Sequence, residues 1–333
     1  MKRINHPLHL LLTLCLSIVM CSCGSDVKKT MVLKLGHGLP PAHPVHLGLE
    51  RMNDELRELS GGTMEMDIYP SAQLGSEIQC IELLQIGSLD ITKVSAASLE
   101  SFVEPFKIFG IPYIFRSRAH YDNVLNSEVG EAFLTCTEPY WFRGITYFDA
   151  GARSFYTTKV PIHKPEDLEG LKIRVQKSPI AVEMVNIFGG SATPVDWGEL
   201  YTALQSNVVD GAENNTPSIT TAFHHEVAKY YTVNEHTYSP DVIIIGSKTW
   251  AKLSEQQQRW LKEAAERGRV YETALWAEQE QISMEQIKAN GVEVIYPDKK
   301  LFIDAAQPMI QKYKEDPTFT ELINKIEAIS DEK

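Results

Sequence analysis

The chain has 333 residues, 43% of them hydrophobic and 23% charged, which is enough for one or two globular domains with a sizeable core. With 32 Lys and Arg against 44 Asp and Glu, the formal net charge is -12, which argues against a nucleic-acid partner and against a polybasic membrane patch. Three of the 5 cysteines fall within the first 23 residues, so Cys80 and Cys136 alone remain for a folded domain, with no disulfide framework and no CxxC metal knuckle. Both sit in apolar helical patterns and read as buried free thiols, with pairing in an oxidising compartment as the alternative.

In chain order, Lys2 and Arg3 precede an apolar run, LHLLLTLCLSIVM, too short to span a bilayer as a stable helix. Ser22 lies before Cys23 and a polar GSDVKK follows, so residues 1–23 read as a signal peptide with a loose lipobox and Cys23 as the lipidated N-terminus. VLKLGHGLPPAH opens the mature fold as a strand and a polar turn. A helix begins at Pro44 and ends at Gly61-Gly62, MEMDIYP alternates as a strand, and Ser76 caps a helix through IELLQIG. DITKVSAAS is a further strand, IFGIPYIF and two helices follow, and GITYFDAGARSFYTT leads into a second α/β set.

Residues Leu171 to Asn215 hold the densest pattern. Leu171, Ile173 and Val175 alternate with Lys172 and Arg174, so LKIRV is a strand with both basic residues on one face. Pro179 starts a helix that Gly189-Gly190 stops, Asp196 and Glu199 form a capping-box pattern before LYTALQ, and VVDGAEN is another strand. This βαβ order predicts a parallel sheet, with Arg174 and Asn214 at the carboxyl ends of strands, where open α/β sheets bind ligands. The segments near 150 and near 240 read as crossings between two lobes. SEQQQRWLKEAAERGRVYETALWAEQEQISMEQIKANG is a helix too long for one small lobe, capped by Ser254 and closed by Gly291. The expected division is 30–150 with 242–280 in one lobe and 151–241 with 281–330 in the other.

LKIRV together with GGSATPVDWGELYTALQSNVVDGAEN resembles the signature of the solute-binding proteins of TRAP transporters, and IYPSAQLGSE, LLQIGSLDITKVSA and IFGIPYIF support it upstream. The resemblance runs from about Val32 to about Pro308. It implies an α/β, two-lobe periplasmic binding protein fold with the ligand in the cleft, no cofactor, and small and large membrane subunits as partners. Arg174 offers a bidentate fork for a ligand carboxylate, and the resemblance implies that role for it. The resemblance also makes Arg153 a second ligand-facing arginine, against a plain loop charge. It sets Trp197 against the ligand, where a flat ring suits a sugar face; the alternative is a core tryptophan under its helix. Asn214 can donate and accept, while Glu77 and Lys93 correspond to cleft positions. Lys93 and Ser95 stand where the sialic-acid branch has an aromatic and an acid, and GSLDITKVSA with PVDWGELYTALQ is closest to the uronate branch.

His37, His43 and His46 lack the cysteine or carboxylate of a recognisable metal set, so no metal is expected; His37 reads as a hydrogen-bonding cleft residue. His224-His225 reads as a solvated or interfacial pair. Glu77 is expected to accept from sugar hydroxyls and to repel a second carboxylate. GxSxG, HExxH, Walker A and strand-linked GxGxxG motifs are lacking, so the chain reads as a binder rather than an enzyme. The resulting expectation is a periplasmic, lipid-anchored receptor for a hexuronate such as D-glucuronate or D-galacturonate. A C4-dicarboxylate receptor, an ABC-importer binding protein and an enzyme are the alternatives.

Overall fold

The computed structural model describes residues 30–332. The signal segment 1–23 and Cys23 therefore lie outside the described residues. The first half builds β1 (Met31–Gly36), β2 (Met64–Tyr69), β3 (Ile91–Ser95) and β4 (Phe142–Phe148), with helix α1 (Pro44–Leu59) after β1 and α2 (Glu77–Ile86) before β3. Ser76 and Gln79 form a reciprocal capping box at the start of α2, and Gly87 ends it in the left-handed region at φ 82. The chain then crosses at residues 149–151 into β5 (Ala152–Thr157), β6 (Lys172–Val175), β7 (Ser191–Pro194), β8 (Gly211–Asn214) and β9 (Tyr230–Tyr238). Helix α3 (Pro179–Ile187) joins β6 to β7, and α4 (Leu200–Gln205) precedes β8. After a second crossing at Ser239 and Pro240, β10 (Asp241–Gly246) returns to the first sheet, and β11 (Glu293–Ile295) completes the second.

The two sheets run β2-β1-β3-β10-β4 and β11-β9-β5-β8-β6-β7. β6 pairs parallel with both β7 and β8, as short connections through α3 and α4 require. Both crossings fall where the sequence pattern changes. At each, a strand of one sheet runs straight on into a strand of the other, from β4 to β5 and from β9 to β10.

Helix α5 (Glu255–Ala289) has 35 residues, about 52 Å of rise. It packs along α1 and β4 and, further on, against the helix Thr216–Thr221 of the second half. Close approach to α1 depends on two glycines: a Cβ on Gly48 would stand 2.6 Å from Glu272 Cβ, and one on Gly268 would stand 2.8 Å from Met52 Cβ. Either addition would push the helices apart.

The last helix departs from the expected division. Pro317–Glu327 packs on Glu104–Gly110 and Glu128–Thr135, segments the sequence assigns to the first lobe. Its apolar face explains this, since Phe319, Ile323 and Ile326 join a buried cluster with Phe106, Phe109 and Phe133. Tail and first half are further clasped where Arg116 donates to Asp331 Oδ1 at 2.7 Å. Cys80 is buried, Cys136 is partly buried, and both are free thiols.

Candidate functional site

A cavity of about 260 Å³ opens between the two halves, close to the small end of ligand sites. One wall comes from the β1–α1 loop, the start of α2 and the end of β3; the other comes from the carboxyl ends of β6 and β8 and from Val195 to Gly198. Asp241, paired beside Ser95 of β3, adds to the first wall, and Ser239 and Trp276 also line the cavity.

Arg174 is buried, with 3% of its surface exposed. Its Nε donates to Val195 O at 2.8 Å, while Nη1 is buried without a partner. Among the described residues it has no ion pair, so burial lowers its pKa despite the partial support of Tyr156 and Glu213. The guanidinium carbon lies 5.9 Å from the centre of the Trp197 ring. The strand fixes the side chain, Val195 holds the Nε edge, and the Nη fork is left for an incoming anion.

Arg153 is committed differently. Glu213 grips it through both carboxylate oxygens, with Nη2 donating to Oε1 at 2.9 Å and to the Glu213 carbonyl at 2.8 Å, while Nε donates to Oε2. Nη1 donates to Asn214 Oδ1 at 3.0 Å. Of five N–H groups, one remains for a ligand. Arg153 holds the Glu213 carboxyl down at about 2 against the penalty of burial. Asn214 Oδ1 also accepts from Asn215 N at 2.9 Å, so only the amide N–H groups of Asn214 face outward, rather than donor and acceptor alike.

On the opposite wall Lys93 donates to Glu77 Oε1 at 3.0 Å and to Asp241 Oδ1 at 3.1 Å. Ser95 N and Ser98 Oγ donate to Glu77 Oε2 at 3.1 Å and 2.5 Å. Burial opposes the charge of all three groups; it is outweighed at Lys93, which two carboxylates push up, and at Glu77, which is lowered. At Asp241 burial wins and the carboxyl is raised. Three of the four acceptor sites of Glu77 are thus taken by the protein, which leaves one on Oε1 where the sequence reading has a free hydroxyl acceptor.

The expected residues Glu77, Lys93, Ser95, Arg153, Arg174, Trp197 and Asn214 all line this cavity. His37 stands behind it. Its Nδ1 accepts from Leu39 N at 3.2 Å, so its Nε2 donates to His46 Nδ1 at 3.0 Å. His43 lines the cavity instead. It caps α1 by accepting from Val45 N at 3.2 Å and meets Ser218 Oγ across the cleft at 3.1 Å. His224 and His225 are not solvated: both are buried. His224 bonds Tyr156 Oη at 2.8 Å and backs Trp197 with ring centres 5.0 Å apart. Trp197 combines both readings, lining the cavity while packing on apolar clusters of both halves. Sequence reasoning missed Asp241, Glu213 and Ser218. Asp241 heads an apolar strand directly after a crossing, which was the available signal.

The two halves also touch behind the cavity, where Glu100 Oε2 accepts from Ser178 Oγ at 2.7 Å and from Ile180 N at 3.3 Å. Burial pushes the Glu100 carboxyl up to about 8.

Two sheets joined by crossing strands, a long helix lying along both, and a buried cationic fork in the cleft define a two-lobe solute receptor. Residues 35–316 match the family described as bacterial extracellular solute-binding protein, family 7 (DctP). The chain belongs to this family, whose members serve TRAP transporters. It is 37% identical over 289 residues to protein YiiZ of Salmonella typhimurium, covering 86% of this chain and 88% of that one. A TRAP periplasmic solute-binding protein of Anaerococcus prevotii, solved with bound α/β-D-glucuronate, superposes with a TM-score of 0.86 at 37% identity, covering 90% of this chain and 100% of that one. One from Xanthobacter autotrophicus, with bound β-D-galacturonate, does so with a TM-score of 0.86 at 35% identity and the same coverage.

Proposed function

We propose that this protein is the receptor of a TRAP transporter for a hexuronate, D-glucuronate or D-galacturonate, which it delivers to the small and large membrane subunits. The observation that carries this reading is the Arg174 fork, buried and without a counter-ion among the described residues. A buried charge without a partner is destabilising, so its presence makes sense as half of a pair that the ligand completes. The remaining N–H of Arg153 and the Asn214 amide supply further donors beside it, and Trp197 presents an aromatic face for the sugar ring. The uronates bound by the Anaerococcus and Xanthobacter proteins support the same ligand class.

Mechanically, an anion on Arg174 favours the closed arrangement, because directed hydrogen bonds replace water only when both walls reach the ligand. The cavity contacts suit capture rather than chemistry. His43 Nδ1 is an acceptor, so its Nε2 carries the proton and donates to Ser218 Oγ. It cannot act there as a base for that hydroxyl. Lipidation at Cys23 would hold the receptor on the periplasmic face of the membrane.

Thermal-shift titration with D-glucuronate, D-galacturonate, succinate and sialic acid tests the assignment. Ligand at 100 times its Kd adds about 2.7 kcal/mol, which for a chain of this size raises Tm by about 4 °C. A uronate should give that rise; a response to succinate with none to either uronate would overturn the reading.

A further inference from the structure

The charged side chains of the cavity pair off unevenly. Lys177 donates to Asp196 Oδ2 at 2.8 Å, Arg153 is gripped by Glu213, and Glu77 spends its oxygens on Lys93, Ser95 and Ser98. Two groups are left over: Arg174 on one wall and, on the other, the second carboxylate that shares Lys93. That second carboxylate is Asp241, whose Oδ1 receives the Lys93 ammonium while its Oδ2 takes no hydrogen bond from any described residue. The Glu77–Lys93–Asp241 triad has two carboxylates to one ammonium, so this wall carries a net negative charge facing Arg174, the one cavity cation without an ion pair among the described residues.

We propose that Asp241 is the specificity-determining residue of the first-lobe wall, taking a hydroxyl of a one-carboxylate ligand on Oδ2 and excluding ligands with a second carboxylate. The proposal rests on the receptor reading above and says which end of the ligand meets which wall. A monoanionic polyol satisfies both leftovers at once, its carboxylate on Arg174 and an O–H donated to Asp241. A dianion of the same length places its second carboxylate against a wall already anionic. Like charges brought together in a desolvated site are strongly disfavoured, and a carboxylate has no proton with which to satisfy Oδ2. Backbone pairing of β10 with β3 and β4 on either side holds the Asp241 backbone opposite Ser95 and Phe148, and the Lys93 ammonium on Oδ1 holds the carboxylate itself.

The test is a ratio of Kd values within pairs of ligands that differ by one carboxylate: galactarate over galacturonate, and succinate over 4-hydroxybutyrate, each measured by calorimetry on the whole mature protein. Wild type should disfavour the diacid of a pair by at least about tenfold, and Asp241→Asn, which keeps the shape and removes the charge, should shrink that ratio by about tenfold or more. Asp241→Ser removes the same charge and reads the same ratio should the Asn variant not fold. A wild-type ratio near one, or an Asp241 variant whose ratio stays within twofold of wild type, overturns the proposal. Absence of uronate binding, with the one-carboxylate preference retained in the C4 pair and lost in the Asp241 variants, would sink the uronate assignment and leave this filter standing.

Discussion

Arg174→Lys should lower affinity for the uronate by one to two orders of magnitude, on the order of 1.5–3 kcal/mol for a charge-assisted contact, while leaving the fold intact. Lysine keeps the charge but has a single point donor where the guanidinium presents two Nη edges, and it cannot reproduce the Nε bond to Val195 O. Arg174→Ala should go further, by about 2–5 kcal/mol, because it removes one partner of a desolvated charge pair. Stability of the empty protein should move the other way. The free guanidinium is buried without a counter-ion among the described residues, so the ligand-free Ala variant should melt at or above the wild-type temperature. Calorimetric titration and ligand-free melting curves together separate a binding arginine from a structural one, which would lose stability and keep affinity.

Glu213→Gln should have the opposite signature. Glu213 neutralises Arg153, and losing it leaves a buried cation unpaired, which destabilises by about 3–5 kcal/mol and lowers Tm by on the order of 10 °C. The pH dependence carries the same information. The Glu213 carboxyl is depressed from its ordinary 4.5 to about 2 in the folded protein. Its contribution is therefore present above pH 4.5 and lost as pH falls from about 4.5 to about 2, on the order of 3 kcal/mol. In Glu213→Gln that part of the acid limb should flatten. An unchanged acid limb in chemical denaturation between those pH values would show that the Arg153–Glu213 pair is not what holds the second-lobe wall.

Much of this was legible in the sequence because it depends on near neighbours. The strand-helix order of residues 171–215, the Ser76 and Ser254 caps and the proline-started helices follow from spacing alone, and each forms as expected. Arg174 was legible because alternation in LKIRV placed it one step from the carboxyl end of its strand. The Asp196–Glu199 capping box was not realised. The Asp196 carboxylate goes to Lys177, no side-chain cap forms, and a short 3₁₀ turn from Trp197 to Glu199 precedes α4. Partners distant in sequence were not legible at all. Lys93 meets Asp241 across 148 positions and His43 meets Ser218 across 175, and periodicity has no reach over such separations. His224 misled for the same reason, since its burial is decided by Tyr156 and Trp197, not by its own turn. Glu77 lines the cavity as expected, but only the fold shows that Lys93, Ser95 and Ser98 take three of its four acceptor sites.

The most direct test of the central claim is a crystal structure of the mature protein with D-galacturonate or D-glucuronate at saturation. The ligand carboxylate should lie on the Nη edge of Arg174, with N···O distances of about 2.7–2.9 Å. A carboxylate bound instead at Lys93, with the Arg174 fork still unoccupied, would contradict it.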